Sequence, residues 1–333
     1  MRNKGYDVIS VGSATIDVFV NTHSDEIVRV RHHETEEILT CYPLGSKILI
    51  KNLQFTTGGG GTNTAVSFSR LGLRTAYVGG LGNDPNGKKI ISELKEENID
   101  FIGTITKGQT NYSVILDSIK HDRTILAYKD ASSNLDFRDI PKKSLKSRCF
   151  YFSSMMGRSF MAALMLMRYA KNNGIKVAFN PSSYEVESER ERLKPCLGCT
   201  DILIFNREEA ALLLQKPQNN KIEDLLAGVR KLGPKLVVIT DGPKGAWCSD
   251  GIHVYYIKPR KVKVVETTGA GDAFASGFVT GIIKRMDIGS AMRLGLAQAE
   301  SVIQHYGAKN KLLTWKEAMK EMRKCPKVSK KKA

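Results

Sequence analysis

Val265-Glu-Thr-Thr-Gly-Ala-Gly-Asp-Ala-Phe-Ala-Ser-Gly-Phe278 is a loop of small residues that feeds a helix. Upstream, His253 to Ile257 reads as a strand, and from Ala270 to Lys284 the sequence reads as a helix, so the stretch carries the chain from a sheet to a helix N-terminus. The backbone N–H groups of Gly269, Ala270 and Gly271 can converge there without side chains in the way, and the helix dipole adds partial positive charge. The expectation is an anion hole. Asp272 stands in its midst, where a carboxylate repels a resting phosphate but takes a proton from a hydroxyl about to attack one. Taken alone, the motif reads more simply as a capped helix start, with Thr267 or Thr268 as the cap and Asp272 favouring the dipole.

A second glycine loop shifts that balance. Gly58-Gly-Gly-Gly61-Thr62-Asn63 precedes another helix-like run, Thr64 to Leu71. Together the two loops resemble the signatures of the ribokinase-like carbohydrate kinase family, the phosphofructokinase B type: Thr267 to Phe274 is similar to its C-terminal signature and Gly58 to Asn63 to its N-terminal one. The likeness runs from about Tyr6 to Leu313. It implies an α/β fold with a doubly wound, mostly parallel sheet flanked by helices, and a small β-sheet lid. It also implies a nucleotide-dependent kinase that moves the γ-phosphoryl group to a hydroxyl of a sugar or sugar-like small molecule.

Length and composition agree with a soluble enzyme. The 333 residues, 41% of them apolar, can bury a large core. No apolar run approaches the ~20 residues needed to span a bilayer, and Tyr6 opens almost directly into a strand, so neither a membrane partner nor a signal peptide is expected and the location is expected to be cytoplasmic. Cys196 and Cys199 lack the second pair that a four-ligand zinc site needs. The net charge is 51 − 34 = +17, and the residues after Met322 carry six cations and no acid. That tail reads as a solvated, disordered end, and no motif for specific nucleic-acid binding is present. The domain reading is a kinase domain over residues 1–325, with lid segments at about 18–57 and 108–130, and a basic tail over 326–333.

In chain order, Asp7 to Gly12 is a buried-strand run, and Asp17 follows it where open α/β sheets bind ligands. Lys47 to Lys51, Ser113 to Asp117 and Arg123 to Tyr128 alternate like hairpin strands, the last two around a turn at Lys120 to Asp122. These are the lid candidates. From Arg74 onward strands and helices alternate: Arg74 to Val78, Cys149 to Ser153, Ile175 to Phe179, Asp201 to Phe205 and Leu236 to Thr240 as strands, with Gly87 to Glu97 and Ser159 to Asn172 as helices. Polar clusters end several strands, at Asn180, at Asn206 and at Thr240 to Gly245, and would line one edge of a parallel sheet.

The resemblance assigns Asp272 as general base and Gly269, Ala270 and Gly271 as anion hole. It gives Asp17, Gly58, Gly59 and Asn63 to the substrate, and Asn180, Asn206, Thr240, Gly242, Gly245 and Thr268 to the nucleotide. Glu209 and Asn206 would order Mg2+, mainly through water. ATP is the expected donor, with ADP as the alternative. Three departures from the family pattern stand out. Glu266 replaces the usual Asp or Asn, which argues against a monovalent cation; Lys129-Asp130-Ala131 replaces an Arg-Gly-Ala-like lid segment; and Gln298-Ala-Glu300 replaces small residues and Asn near the adenine. A nucleoside kinase is the rival, with Phe19, Tyr42 and Tyr112 as platform candidates, and a silent ligand-binding protein is a second. An exposed lid edge would suit a homodimer.

Overall fold

The computed structural model describes residues 5–22, 26–32, 35–117 and 123–333. The strands in chain order are β1 (Tyr6–Val11), β2 (Thr15–Thr22), β3 (Glu26–His32), β4 (Thr35–Cys41), β5 (Ile50–Gly58), β6 (Thr75–Val78), β7 (Gly80–Gly82), β8 (Ile99–Phe101) and β9 (Thr104–Thr106). They continue as β10 (Asn111–Asp117), β11 (Arg123–Tyr128), β12 (Ser147–Ser153), β13 (Lys176–Asn180), β14 (Ile202–Asn206), β15 (Leu236–Thr240), β16 (Ala246–Ser249), β17 (His253–Ile257) and β18 (Ser329–Lys332). The helices are α1 (Gly60–Arg70), α2 (Pro85–Glu96), α3 (Arg158–Asn172), α4 (Ser183–Ser188), α5 (Arg190–Leu197), α6 (Arg207–Leu213), α7 (Ile222–Arg230), α8 (Ala270–Ile283), α9 (Ile288–Val302) and α10 (Trp315–Lys324).

A ten-stranded sheet in the order β18-β17-β16-β15-β14-β13-β12-β1-β6-β8 forms the centre. From β15 to β8 all neighbours are parallel, and β16, β17 and β18 extend the other edge antiparallel. The parallel part is apolar on both faces because alternate residues feed two cores. Phe150 and Phe152, Leu203 and Phe205, and Val237 and Ile239 join one core, which takes in residues of α3, α5, α6 and α7. Cys149 and Tyr151, Ile202 and Ile204, and Val238 join the other, which takes in residues of α1, α8 and α9. A strand buried on both sides needs this uninterrupted apolar run. Helices α8 and α9 pack unusually closely: a Cβ placed on Gly277 would lie 2.8 Å from the Cα of Gly295.

A second sheet, β11-β10-β2-β5, joins both segments expected to form the lid. Strand β2 lies at its middle, parallel to β10 and antiparallel to β5. Strands β3 and β4 make a separate hairpin. The turn expected at Lys120 to Asp122 lies outside the described residues. Ile16, Val18 and Val20 turn into a core with Ala65, Val66, Ile90 and Leu94, which leaves the alternate residues Asp17 and Phe19 on the other face. Among the described residues no helix is long and apolar enough to cross a membrane.

Two expectations are corrected. The second helix begins at Gly60 rather than at Thr64, because glycines tolerate the first helical turn once Gly59 has turned the chain at a φ of 93°. The tail is not a solvated coil: β18 pairs antiparallel with β17, Lys330 lies 5.5 Å over the Tyr255 ring, and Lys331 reaches Glu223 at 2.6 Å. Its alternating register suits an edge, and exposed lysines are what keeps an edge from recruiting another strand. Removing Ser329 to Ala333 should therefore uncover the edge of β17 and produce a concentration-dependent rise in light scattering relative to the full chain. Identical scattering would show that β18 does not guard this edge.

Candidate active site

Because the central strands are parallel, their carboxyl ends share one rim. Ser153 ends β12, Asn180 ends β13, Asn206 ends β14 and Thr240 ends β15. The two glycine loops meet at this rim, and the decisive contact is between Asn63 on α1 and Asp272 on α8: Asn63 Nδ2 donates to Asp272 Oδ2 at 2.9 Å. Asp272 is half-buried, and its loss of hydration pushes the carboxyl pKa up while the Asn63 bond pulls it down. A Cβ on Gly60 would stand 3.5 Å from the other oxygen, Oδ1, and 2.8 Å from Ser153 Cβ, so a side chain there would wall off the carboxylate.

The start of α8 fits the expected anion hole in part. Gly269 is the N-cap with φ 79°, and a Cβ on it would meet Ala308 Cβ at 2.4 Å. The first ladder bond runs from the Ala273 N–H to the Gly269 carbonyl, so the preceding N–H groups lie outside the ladder. Of the three expected donors, however, the Ala270 N–H already gives to the Thr267 carbonyl at 3.2 Å. Gly271 is exposed, and a Cβ on it would meet nothing within 4 Å. Thr268, expected beside the nucleotide, gives its N–H at 2.6 Å and its hydroxyl to Glu266.

Asp17 lies against Gly58, where a Cβ would fall 1.9 Å from Oδ2. The carboxylate is 8% exposed. Burial pushes its pKa up to about 6, against the pull of the Ser113 and Thr15 hydroxyls and of Lys309. Phe19 shares its face, whereas Tyr112, opposite Ile16 in the ladder, belongs to the far face. Tyr112 is thus set apart from Asp17, and Phe19 is the aromatic that can meet the same ligand.

On the other side of the rim, a cleft of about 580 Å³ is lined by Asn206, Arg207, Thr240, Asp241, Gly242 and Lys244. Asn206 caps α6 reciprocally with Glu209: the Glu209 N–H gives to Asn206 Oδ1 at 2.8 Å and the Asn206 N–H to Glu209 Oε2 at 2.9 Å. The second carboxylate oxygen of Glu209 takes the Ser183 hydroxyl at 3.2 Å, and burial pushes its pKa up. Asn180 gives its Nδ2 to the Ile204 carbonyl at 2.8 Å and receives the Tyr151 hydroxyl at 3.4 Å. Gly245 and the departing residues Gln298 and Glu300 each have a structural task. Gly245, at φ 107°, lets the β15–β16 turn pass within 2.2 Å of the Ile257 carbonyl, counted from a Cβ built on it. Gln298 is fully buried, bonded both ways to the Leu313 backbone, and Glu300 holds Arg260 at 2.6 Å. Asp130 does not stand loose: it accepts from the Gln109 N–H and the Asn134 side chain at 2.9 Å each.

Several residues escaped the sequence reading. Ser153 could have been found by the same strand-end logic that found Asn180. Arg207 ties the Gln218 and Asn220 carbonyls to Asp241, with contacts of 2.7, 2.6 and 3.0 Å, and shapes the cleft wall. Lys309 is 7% exposed beyond the last motif, and no local pattern announces it.

The pattern of the pfkB family carbohydrate kinases matches residues 7–315. The chain belongs to this family. As such it is a carbohydrate kinase, with a ribokinase-like fold. It is 26% identical over 312 residues to the ribokinase of Haemophilus influenzae, covering 92% of this chain and 97% of that one. It is 30% identical over 291 residues to a 5-dehydro-2-deoxygluconokinase of Clostridium perfringens, covering 81% and 85%. The solved Arabidopsis thaliana ribokinase complexed with ribose and ATP superposes with a TM-score of 0.78 at 21% identity, over 96% of this chain and 99% of that one. Adenosine kinase from Sinorhizobium meliloti gives 0.80 at 22%, over 95% and 99%. At such identities these two structures establish the shared fold.

The two glycines of the α8 turn separate folding from chemistry. Gly269→Ala should lower stability by at least about 1–2 kcal/mol from its φ alone, with the Ala308 clash added. Gly271→Ala should melt like the parent chain yet lose turnover by roughly 10–100-fold if phosphate occupies the open space beside it. Thermal unfolding and a coupled kinase assay on both variants would check this; a normal rate for Gly271→Ala removes that residue from the anion hole.

Proposed function

We propose that this kinase transfers the γ-phosphoryl group of ATP to a hydroxyl of a small polyol, with Asp272 as general base. The observation that carries the reading is the Asn63–Asp272 pair. Asn63 Nδ2 fixes one carboxylate oxygen, while its Oδ1 is buried and has no hydrogen-bond partner among the described residues. A hydroxylated acceptor supplies the missing donor and brings an O–H to Asp272. A carboxyl whose pKa is raised by burial is a stronger base once ionised. Gly58, Gly59 and Gly60 keep side chains out of the approach, and Asp17 receives further hydroxyls from the acceptor.

The backbone at Gly269 to Gly271 and the α8 dipole take the negative charge of the migrating group, Gly271 being the most open of the three. Asn206, Thr240 and Gly242 border the donor nucleotide in their cleft, with Asn180 steadying the rim. Among the described residues no three His, Cys, Asp or Glu side chains gather closely enough to ligate a metal alone. That donor set fits Mg2+, which keeps most of its waters: Glu209 and Asn206 would hold those waters. When bound, the ion neutralises phosphate charge and steers the transfer. The β11-β10-β2-β5 sheet acts as a lid that excludes water, and the apolar side chains exposed on its edge strands, including Phe55 and Leu126, suit a second copy of the chain.

A nucleoside acceptor is the second reading, favoured by Phe19 on the face of Asp17. A panel of sugars, sugar phosphates and nucleosides, assayed with ATP and ADP, separates the two. On the best acceptor, Asp272→Asn should lower turnover by roughly 10²–10⁴ while nucleotide binds as well or better. Near-normal turnover would sink the mechanism. Glu209→Gln keeps a side chain able to cap α6, so the fold should survive while the magnesium concentration for half-maximal rate rises several-fold. An unchanged magnesium dependence would confine Glu209 to capping.

A further inference from the structure

Behind the acceptor site lies a buried cation that the mechanism does not use. Lys309 Nζ bonds Thr57 Oγ1 at 3.0 Å and Glu93 Oε2 at 2.8 Å, and Thr57 in turn gives its hydroxyl to Glu93 at 2.5 Å. Thr57 belongs to β5, whose next residues are Gly58 and Gly59, and β5 pairs with β2 so that Thr56 faces Asp17. Strand β5 is an edge of its sheet. The segment from Gly307 to Lys309 wraps that edge: a Cβ on Gly307 would lie 3.4 Å from Thr56 Cγ2, while Lys309 grips Thr57. Between them Ala308 presses on Gly269, the cap of α8. One short segment therefore touches the strand flanking Asp17, helix α2 through Glu93, and the anion-hole turn.

We propose that Lys309 is a positioning residue for the acceptor site: it pins β5 to α2 and supplies the buried positive charge that keeps Asp17 ionised to receive hydroxyls. This rests on the reading of Asp17 as an acceptor ligand. The Asp17 charge is acted on by the Thr15 hydroxyl of its own strand, the Ser113 hydroxyl of β10 and the charges of Lys309 and of Glu266 ahead of α8, while Gly58 of β5 packs against it. Of these Lys309 alone carries positive charge, and Glu266 opposes it. Lys309 in turn faces Thr57, Glu93, Glu97 and Asp17, and burial lowers its own pKa against their pull. The sign follows directly. Asp17, with a pKa raised to about 6, is mostly ionised at pH 7 and loses its acceptor role as pH falls through 6. Without the Lys309 charge that loss moves to higher pH.

The test is a carboxyl ¹³C titration of Asp17 in the full chain, its resonance assigned with Asp17→Asn, in the parent, Lys309→Met, Lys309→Arg and Lys309→Met/Glu93→Gln proteins. The double variant removes both members of the buried pair, so it stays folded where the single one leaves Glu93 stranded. Lys309→Met should raise the proton affinity of Asp17 about tenfold, one pH unit, the double variant should raise it less because it also removes the opposing charge of Glu93, and Lys309→Arg should keep the parent midpoint. With the acceptor the parent enzyme uses best, KM in Lys309→Met should rise about twofold at pH 7 and about fivefold at pH 6 and recover by pH 9, with kcat much less affected and a smaller rise in the double variant. A parent-like Asp17 midpoint in folded Lys309→Met, or in the double variant should the single one not fold, would overturn the proposal and leave Lys309 as a structural pin. Failure of the kinase reading shows separately, as normal turnover in Asp272→Asn.

Discussion

The 2.9 Å bond between Asn63 and Asp272 joins the first turns of two helices that start 210 residues apart in the chain, at Gly60 and Ala270. The geometry around Asp272 depends on how firmly those two helices are held. Further along, Ser276 Oγ gives to Ser67 Oγ at 2.7 Å, fully buried, so α1 and α8 are tied twice along adjacent turns. Helix α8 is then held from behind by α9, where glycine meets glycine. A carboxylate seated on so constrained a helix cannot drift from its partner without breaking a buried bond, whose loss costs on the order of 1–3 kcal/mol.

The sheet supplies the other constraint. Parallel strands deliver all their carboxyl ends to one rim, so residues far apart in sequence meet there without any local motif. At this rim single side chains hold several elements at once. Asn206 and Glu209 close a capping box, and the Ser183 hydroxyl gives to the second carboxylate oxygen of Glu209, so α6 is fixed to the start of α4. Arg207 extends the principle, because its three contacts hold the loop at Gln218 to Asn220 against the wall that Asp241 begins.

Much of this was legible in the sequence because it is written in local patterns. Strands β15, β17 and β11 begin and end where apolar alternation starts and stops, and both glycine loops open helices as their composition demands. What escaped has a physical reason in each case. The start of α1 was misplaced because glycine disfavours helix on its own, and it takes the close packing of Gly60 on Ser153 and of Gly61 on Gly12 to make the first turn helical. At Gly245 the structural demand was hidden because a positive φ required by a turn looks, in sequence, like a glycine required by a ligand. Strand β18 was hidden by its lysines, which describe an edge only once β17 is known to lie beside it. Lys309 carried no signal at all, since a buried lysine is recognised by the carboxylate from another element that pairs with it.

Burial raises the pKa of both candidate carboxylates, and what opposes the rise differs. Around Asp17 it is the Ser113 and Thr15 hydroxyls and the charge of Lys309. Asp272 has one neutral donor, a partial opening to solvent and one oxygen left toward the glycine loop, a setting that favours proton uptake. The lane between them is kept by absence of bulk. At Gly58 a side chain would collide with Asp17, and at Gly60 it would collide with Ser153 and crowd Asp272. The run of glycines is thus required on two sides at once, which is why neither carboxylate explains it alone and why the loop, more than either acid, sets the shape of what can react there.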